Sequence, residues 1–275
     1  MFASTARKPS SLVAKRVRTS STTVSQSVRA TEKGHSNGRG LCYNAVMYNY
    51  AHFKPKEYDF SKFEGPKSGE KAIDFAATKL NGEHVKLSDF FGNWIVLETG
   101  SISCPIYESK IKPMNELARK FSDVTFFVLY VREAHPGEKI REHGSFEEKL
   151  SCARRARDED GESRTILVDD VEGSAHRLYG SMPNSVYVID SKGHVVFRGD
   201  WNDIDEVHNV LQARDSIQAR PREHYSARPS FRGHKEGMLG TLRRAGWVAV
   251  WDFMKAFPVM VFKHIQKLRF QKGKS

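Results

Sequence analysis

The side chain best placed for chemistry is Cys104, which follows the small-residue loop Gly100-Ser101-Ile102-Ser103 and precedes Pro105. Proline suits the first helical position because its missing N–H would be unpaired there anyway. Ile106, Ile111, Met114, Leu117 and Phe121 then fall close to a 3.6-residue period. The spacing therefore predicts a thiol at a helix N-terminus, where unpaired amides and the helix dipole favour an anion, and the thiolate is the nucleophilic form of cysteine. The competing reading is a buried small hydrophobe, against which stand the polar neighbours Ser101 and Ser103. An acid/base partner is offered by Glu133-Ala134-His135-Pro136. His135 would take a proton from Cys104 or hand one to a leaving group, and Glu133 would hold an imidazole in one tautomer. His143 is a second candidate, and His176, His194 and His208 read as surface residues.

These groups meet only if the chain folds to bring them together. Residues 94–98 read as a buried strand, and 124–131 form a continuous apolar run of the kind covered on both faces of a sheet. A strand, helix and strand in that order imply a right-handed crossover and parallel pairing. The carboxyl ends of the two strands then share one sheet edge, where Cys104 and the 133–136 loop converge. Before this unit, residues 72–80 and 83–87 read as a hairpin turning on Asn81-Gly82. After it come a helix over 145–157, a strand over 165–168, a short helix over 174–179, a hairpin of 185–190 with 194–198, and an amphipathic helix over 203–217. Cys152 reads as the core of the 145–157 helix, with a resolving thiol as the alternative. Pro183 stands just before a hairpin strand, where it cannot donate to a ladder.

Charge divides the chain unevenly. Of 275 residues with net charge +11, residues 1–40 carry eight Lys/Arg against one acidic residue, and residues 211–275 fourteen against four. The middle is acidic, which excludes a nucleic-acid-binding core. Three cysteines, Cys42, Cys104 and Cys152, are too few for a secreted disulfide framework and show no metal-ligand spacing, so the reading is a reducing intracellular compartment with no bound metal or cofactor. Residues 1–40 form a basic tail or an organellar transit peptide, and 41–70 an aromatic-rich wrapping segment. Residues 71–217 make the main domain, and 218–275 a basic linker with a wide-faced amphipathic helix that would dock on the domain, on a membrane surface, or on a second copy as a homodimer.

The motifs together resemble a known family. Thr99-Gly-Ser-Ile-Ser-Cys104-Pro105 after one strand, Glu133-Ala134-His135-Pro136 after the next, and 178–189 resemble the iodothyronine deiodinases over about residues 70–212. The resemblance implies an α/β thioredoxin-like fold, related to peroxiredoxins, with a central mixed sheet flanked by helices. It implies catalytic roles for Cys104, His135, His143 and Glu133, with Ser103 and Pro183 supporting. It also implies reductive dehalogenation of a small halogenated aromatic, with an external glutathione- or thioredoxin-type thiol as reductant. The nucleophile here is cysteine where the family usually has selenocysteine, and Ile102 replaces the family's cysteine two positions earlier. The family's Gly-Pro-Trp after the last strand is replaced by Asp200-Trp201-Asn202-Asp203. The alternative expectation is a peroxiredoxin-like thiol peroxidase or disulfide oxidoreductase, with Cys152 resolving a sulfenic acid at Cys104.

Overall fold

In a computed structural model of the chain, residues 48–58, 63–215, 222–225 and 237–272 are described here. Contacts divide the chain into Met1–Ala45 and Val46–Ser275, and all described residues belong to the second unit. Cys42 and the basic tail lie outside the described residues, as does most of 218–236.

Alternation along the central strands sets the layers. In β3 (Trp94–Gly100) and β4 (Val124–Tyr130), Ile95, Leu97, Phe127 and Leu129 point to one face. Val96, Val124 and Phe126 point to the other, where Met114, Leu117, Val207 and Leu211 pack on them. Both faces are buried, which is why the runs read as continuously apolar. Among the described residues the sheet has eight strands, adding β1 (Ala76–Lys79), β2 (His84–Lys86), β5 (Thr165–Val168), β6 (Val186–Ile189), β7 (Val195–Gly199) and β8 (Arg222–His224), in the order β2-β1-β5-β4-β3-β6-β7-β8.

The helices are α1 (Pro105–Lys120), α2 (Phe146–Asp158), α3 (Ser174–Leu178), α4 (Ile204–Gln212), α5 (Gly237–Ala245) and α6 (Trp247–Lys272). Strands β3 and β4 pair in parallel from Trp94↔Val124 to Gly100↔Tyr130, with α1 as the crossover. The β6–β7 hairpin adds antiparallel to β3 and is followed by α4. This βαβ unit joined to a ββα unit is the thioredoxin-like arrangement, as the motifs implied.

Three elements differ from the sequence expectation. The helix expected over 203–217 ends at Gln212. Strand β8 pairs in parallel with β7, and its Arg-Glu-His sequence carries no apolar pattern to announce it. The C-terminal helix is two helices, broken at Gly246, whose φ of 129° favours glycine. A Cβ there would also run into the Glu138 carboxylate. That carboxylate caps α6 by accepting from Trp247 N at 2.6 Å and Val248 N at 3.0 Å, while Lys139 N donates to Ala245 O at 2.9 Å. The junction is thus latched to the loop after β4, directly over the edge where the candidate site lies.

Candidate active site

Cys104 is the N-cap of α1, in extended conformation, with Pro105 at the first helical position. The amides of Ile106 and Tyr107 favour an anion at its sulfur, although the Cys104 side chain makes no capping hydrogen bond. Its ionisation runs against the sequence expectation. Burial pushes the thiol up to about 11, and those amides together with the Lys110 ammonium pull it back only in part. The side chain is 2% exposed. In this closed arrangement Cys104 is a protonated thiol at neutral pH, because dehydration costs more than the helix terminus returns.

The loop before Cys104 and the loop after β4 are stitched together. Ala134 N donates to Ser101 Oγ at 3.1 Å, and His135 N to Ser103 Oγ at 3.1 Å. Ser103 N donates to Glu133 Oε2 at 3.0 Å, and Ile102 N to the Tyr130 hydroxyl at 3.2 Å. The convergence expected from the βαβ topology is therefore present, and every polar side chain of the Ser101–Ser103 loop takes part in it.

Glu133 is the hub of this network. Its Oε1 accepts from the Tyr130 hydroxyl at 2.5 Å and faces His143 Nε2 at 3.1 Å. Burial raises the carboxyl, but His143, Ser103 and Tyr130 outweigh it and leave the group below its ordinary range, hence ionised. The imidazole that Glu133 orients is that of His143.

His135 is held differently. Its ring packs edge-on to Phe53 at 4.4 Å and to Phe253 of α6 at 5.4 Å between centroids. Burial lowers it to about 3, so it is neutral, and its Nδ1 is buried without a hydrogen-bond partner.

The second thiol, Cys152, is half-buried on α2, and its sulfur lies in a cluster with the donor atoms of Glu133 and His143, all within 4.8 Å of one another. Burial and the Glu133 charge raise it to about 12. This trio has donors of the kind zinc takes, yet the Glu133–His143 contact already pairs two of the three. Cys104 and Cys152 are both free thiols. Pro183 is buried, its preceding peptide bond is trans, and Met182 O accepts from Thr99 Oγ1 at 3.1 Å.

One histidine expected at the surface is in the core. His176 is fully buried, with Nδ1 2.8 Å from the Tyr48 hydroxyl and Nε2 2.8 Å from Met182 O. A carbonyl only accepts, so Nε2 carries the proton and Tyr48 donates to Nδ1. No periodic cue marks this position, because α3 spans only five residues.

Sequence reasoning also missed the charged layer beneath Cys104. Glu98, in the otherwise apolar β3, pairs with Arg164 at 2.5 Å and accepts from Asn184 and Asn202, each at 2.7 Å. Arg164 is also forked onto Glu162, and Lys110 donates to Asn184 Oδ1 at 3.2 Å. A lone glutamate inside a strand run was the available signal.

The cation that anchors the aromatic segment was also missed. The Arg132 guanidinium stacks on Tyr48, Tyr50 and Tyr58 at 5.1, 4.9 and 4.8 Å. It donates to the carbonyls of Tyr48 and Glu57, while Tyr50 donates to Ala134 O at 2.8 Å.

Comparison with known proteins gives this geometry a family. The iodothyronine deiodinase family model matches residues 13–215. The type I iodothyronine deiodinase of Xenopus laevis is 24% identical over 161 residues, covering 53% of this chain and 63% of that protein. The human thyroxine 5-deiodinase is 28% identical over 144 residues, covering 46% and 47%. The chain thus spans about half to three-fifths of the length of these relatives. Among solved structures, an uncharacterized conserved protein from Geobacillus kaustophilus aligns with TM-score 0.46 and 18% identity, over 58% of this chain and 87% of that one. A putative thiol:disulfide interchange protein DsbE from Chlorobium tepidum aligns with TM-score 0.43 and 21% identity, over 55% and 97%. With a family model matched over residues 13–215 of 275, the chain belongs to the iodothyronine deiodinase family.

Proposed function

We propose that the protein is a deiodinase-like thiol oxidoreductase in which Cys104 attacks the halogen of a small halogenated aromatic and His135 carries the proton. The observation that supports this most is the stitching of the Cys104 loop to the Glu133–His135 loop through Ser101 and Ser103, within a chain of the deiodinase family. The thiol and the imidazole hold one transferable proton between them. Once the cover yields and water relieves the burial that raises the thiol and lowers the imidazole, His135 accepts the thiol proton as sulfur takes the halogen, and returns it to the ring carbon as the carbon–halogen bond breaks. The products are the dehalogenated arene and a sulfenyl halide at Cys104. Two equivalents of an external thiol then regenerate Cys104, leaving as a disulfide with release of hydrogen halide. Glu133, Tyr130 and His143 position the loop rather than touch the halogen.

The site is covered in this arrangement, so turnover requires α6 or residues 48–58 to yield. The test is iodide release from iodothyronines and iodotyrosines by the full chain with a dithiol, beside the Cys104→Ser variant. Release by the wild type alone supports the reading. No release from either protein, or equal release from both, removes it. A parallel peroxide assay separates dehalogenation from the thiol-peroxidase alternative.

A further inference from the structure

Helix α6 is apolar on two opposite sides. Ala249, Phe253, Ala256 and Met260, spaced by four, three and four residues, face the core around Cys104 and His135. Trp247, Trp251, Met254, Val261 and Ile265 follow the same kind of spacing on the opposite side, and Trp247, Trp251 and Met254 are 65%, 62% and 57% exposed. Phe262, at 59%, widens this stripe. A contiguous exposed face with two tryptophans is not what a surface helix needs for its own fold.

Charge indicates what covers it. Residues 237–272 hold seven Lys/Arg and one acidic residue, Asp252. Cations sit on the apolar face itself, with the Arg243 guanidinium 5.3 Å above the Trp247 ring and the Lys255 ammonium 5.1 Å above Trp251. At the start of the face an open basin is lined by Lys139, Arg243, Arg244 and Trp247. Arg244 there is engaged by Asp160 and Glu159, whereas Lys139 and Arg243 add positive charge to the rim. A second copy would bring this excess of positive charge against itself. Among the described residues no helix is long and apolar enough to cross a membrane. Tryptophans flanked by basic groups suit the boundary between acyl chains and anionic headgroups.

We propose that the outer face of α5–α6 docks in the plane of an anionic lipid membrane, with Trp247, Trp251 and Met254 inserted and Arg243 and Lys255 at the phosphates. The proposal does not depend on the chemistry assigned to Cys104. The test is co-sedimentation of the full chain with vesicles of phosphatidylcholine alone or mixed with phosphatidylserine, with light scattering of the free protein. The expected result is a protein that binds the mixed vesicles, binds phosphatidylcholine at least about tenfold more weakly, and is released by salt. Trp251→Glu with Met254→Glu should abolish binding while leaving the circular dichroism spectrum unchanged, these positions being exposed. Arg243→Glu, which keeps the apolar face, should weaken binding about tenfold. Equal binding to both vesicle types, binding unaffected by these variants, no binding at all, or a lipid-free dimer that the Trp251/Met254 variant dissociates would each overturn the proposal.

Discussion

At the scale of single residues, burial decides the protonation of the site. His135 and His176 are both neutral, each lowered to about 3 by burial. Their unfolded counterparts take a proton near 6.5, so between those values the unfolded chain binds more protons. Stability is therefore complete above about pH 6.5 and is lost as pH falls toward 3, at roughly 1.4 kcal/mol per pH unit for each histidine. Urea midpoints measured from pH 7 to pH 4.5 should fall steadily. In His135→Phe, whose ring can rest between Phe53 and Phe253, the slope should shrink by about half, because His176 still titrates. An unchanged slope would show that His135 is solvated in solution. Glu133 acts in the same sense, over a more acidic range. Its carboxyl is lowered, so its contribution is present above the unfolded carboxyl range and lost as pH falls through its folded value. Glu133→Gln places an amide beside donors already aimed at a carboxylate, and at pH 7 should cost about 1–3 kcal/mol, read as a lower urea midpoint at constant slope. Cys104 completes the set: raised to about 11, it should alkylate far more slowly at pH 7.5 in the native protein than in urea.

At the scale of elements, the two covers are held by different means. Residues 48–58 are clamped by Arg132 and by the Tyr48–His176 bond, whereas α6 is held at its start by the Glu138 cap. Glu138→Ala removes both cap bonds without touching the core, and Trp247 and Val248 can turn to water instead. We expect the fold to persist and Cys104 to alkylate faster, followed by mass spectrometry of the peptide carrying Cys104. An unchanged rate would place the opening in residues 48–58. The element pattern was largely legible because β3, α1 and β4 announce themselves through period and length: proline after Cys104, the continuous apolar run of β4, and Asn81-Gly82 between β1 and β2. What was not legible followed from context. Strand β8 is three polar residues recruited by the exposed edge of β7, and the break at Gly246 depends on a glutamate more than a hundred residues away.

At the scale of the whole molecule, the candidate residues were readable as types and spacing, but their partners were not. Cys104, Glu133, His135 and His143 could be named from motif and topology. That Glu133 serves His143, while His135 is wedged between two phenylalanines, is a consequence of chain segments 200 residues apart meeting over one sheet edge. The same closure makes a distinction measurable. If residues 48–58 and α6 are separate doors, replacing Phe53 or Phe253 by leucine opens its own route, and the alkylation rates of Cys104 add in the double variant. If they form one lid across the His135 ring, opening is a single event and each substitution lowers the same free energy. The rate factors then multiply. Because both rings pack on one imidazole, we expect the product, with each single variant accelerating alkylation and the double variant accelerating it by the two factors combined. A double variant whose rate is only the sum of the singles would divide the cover into independent halves, and each would then open its own route to Cys104.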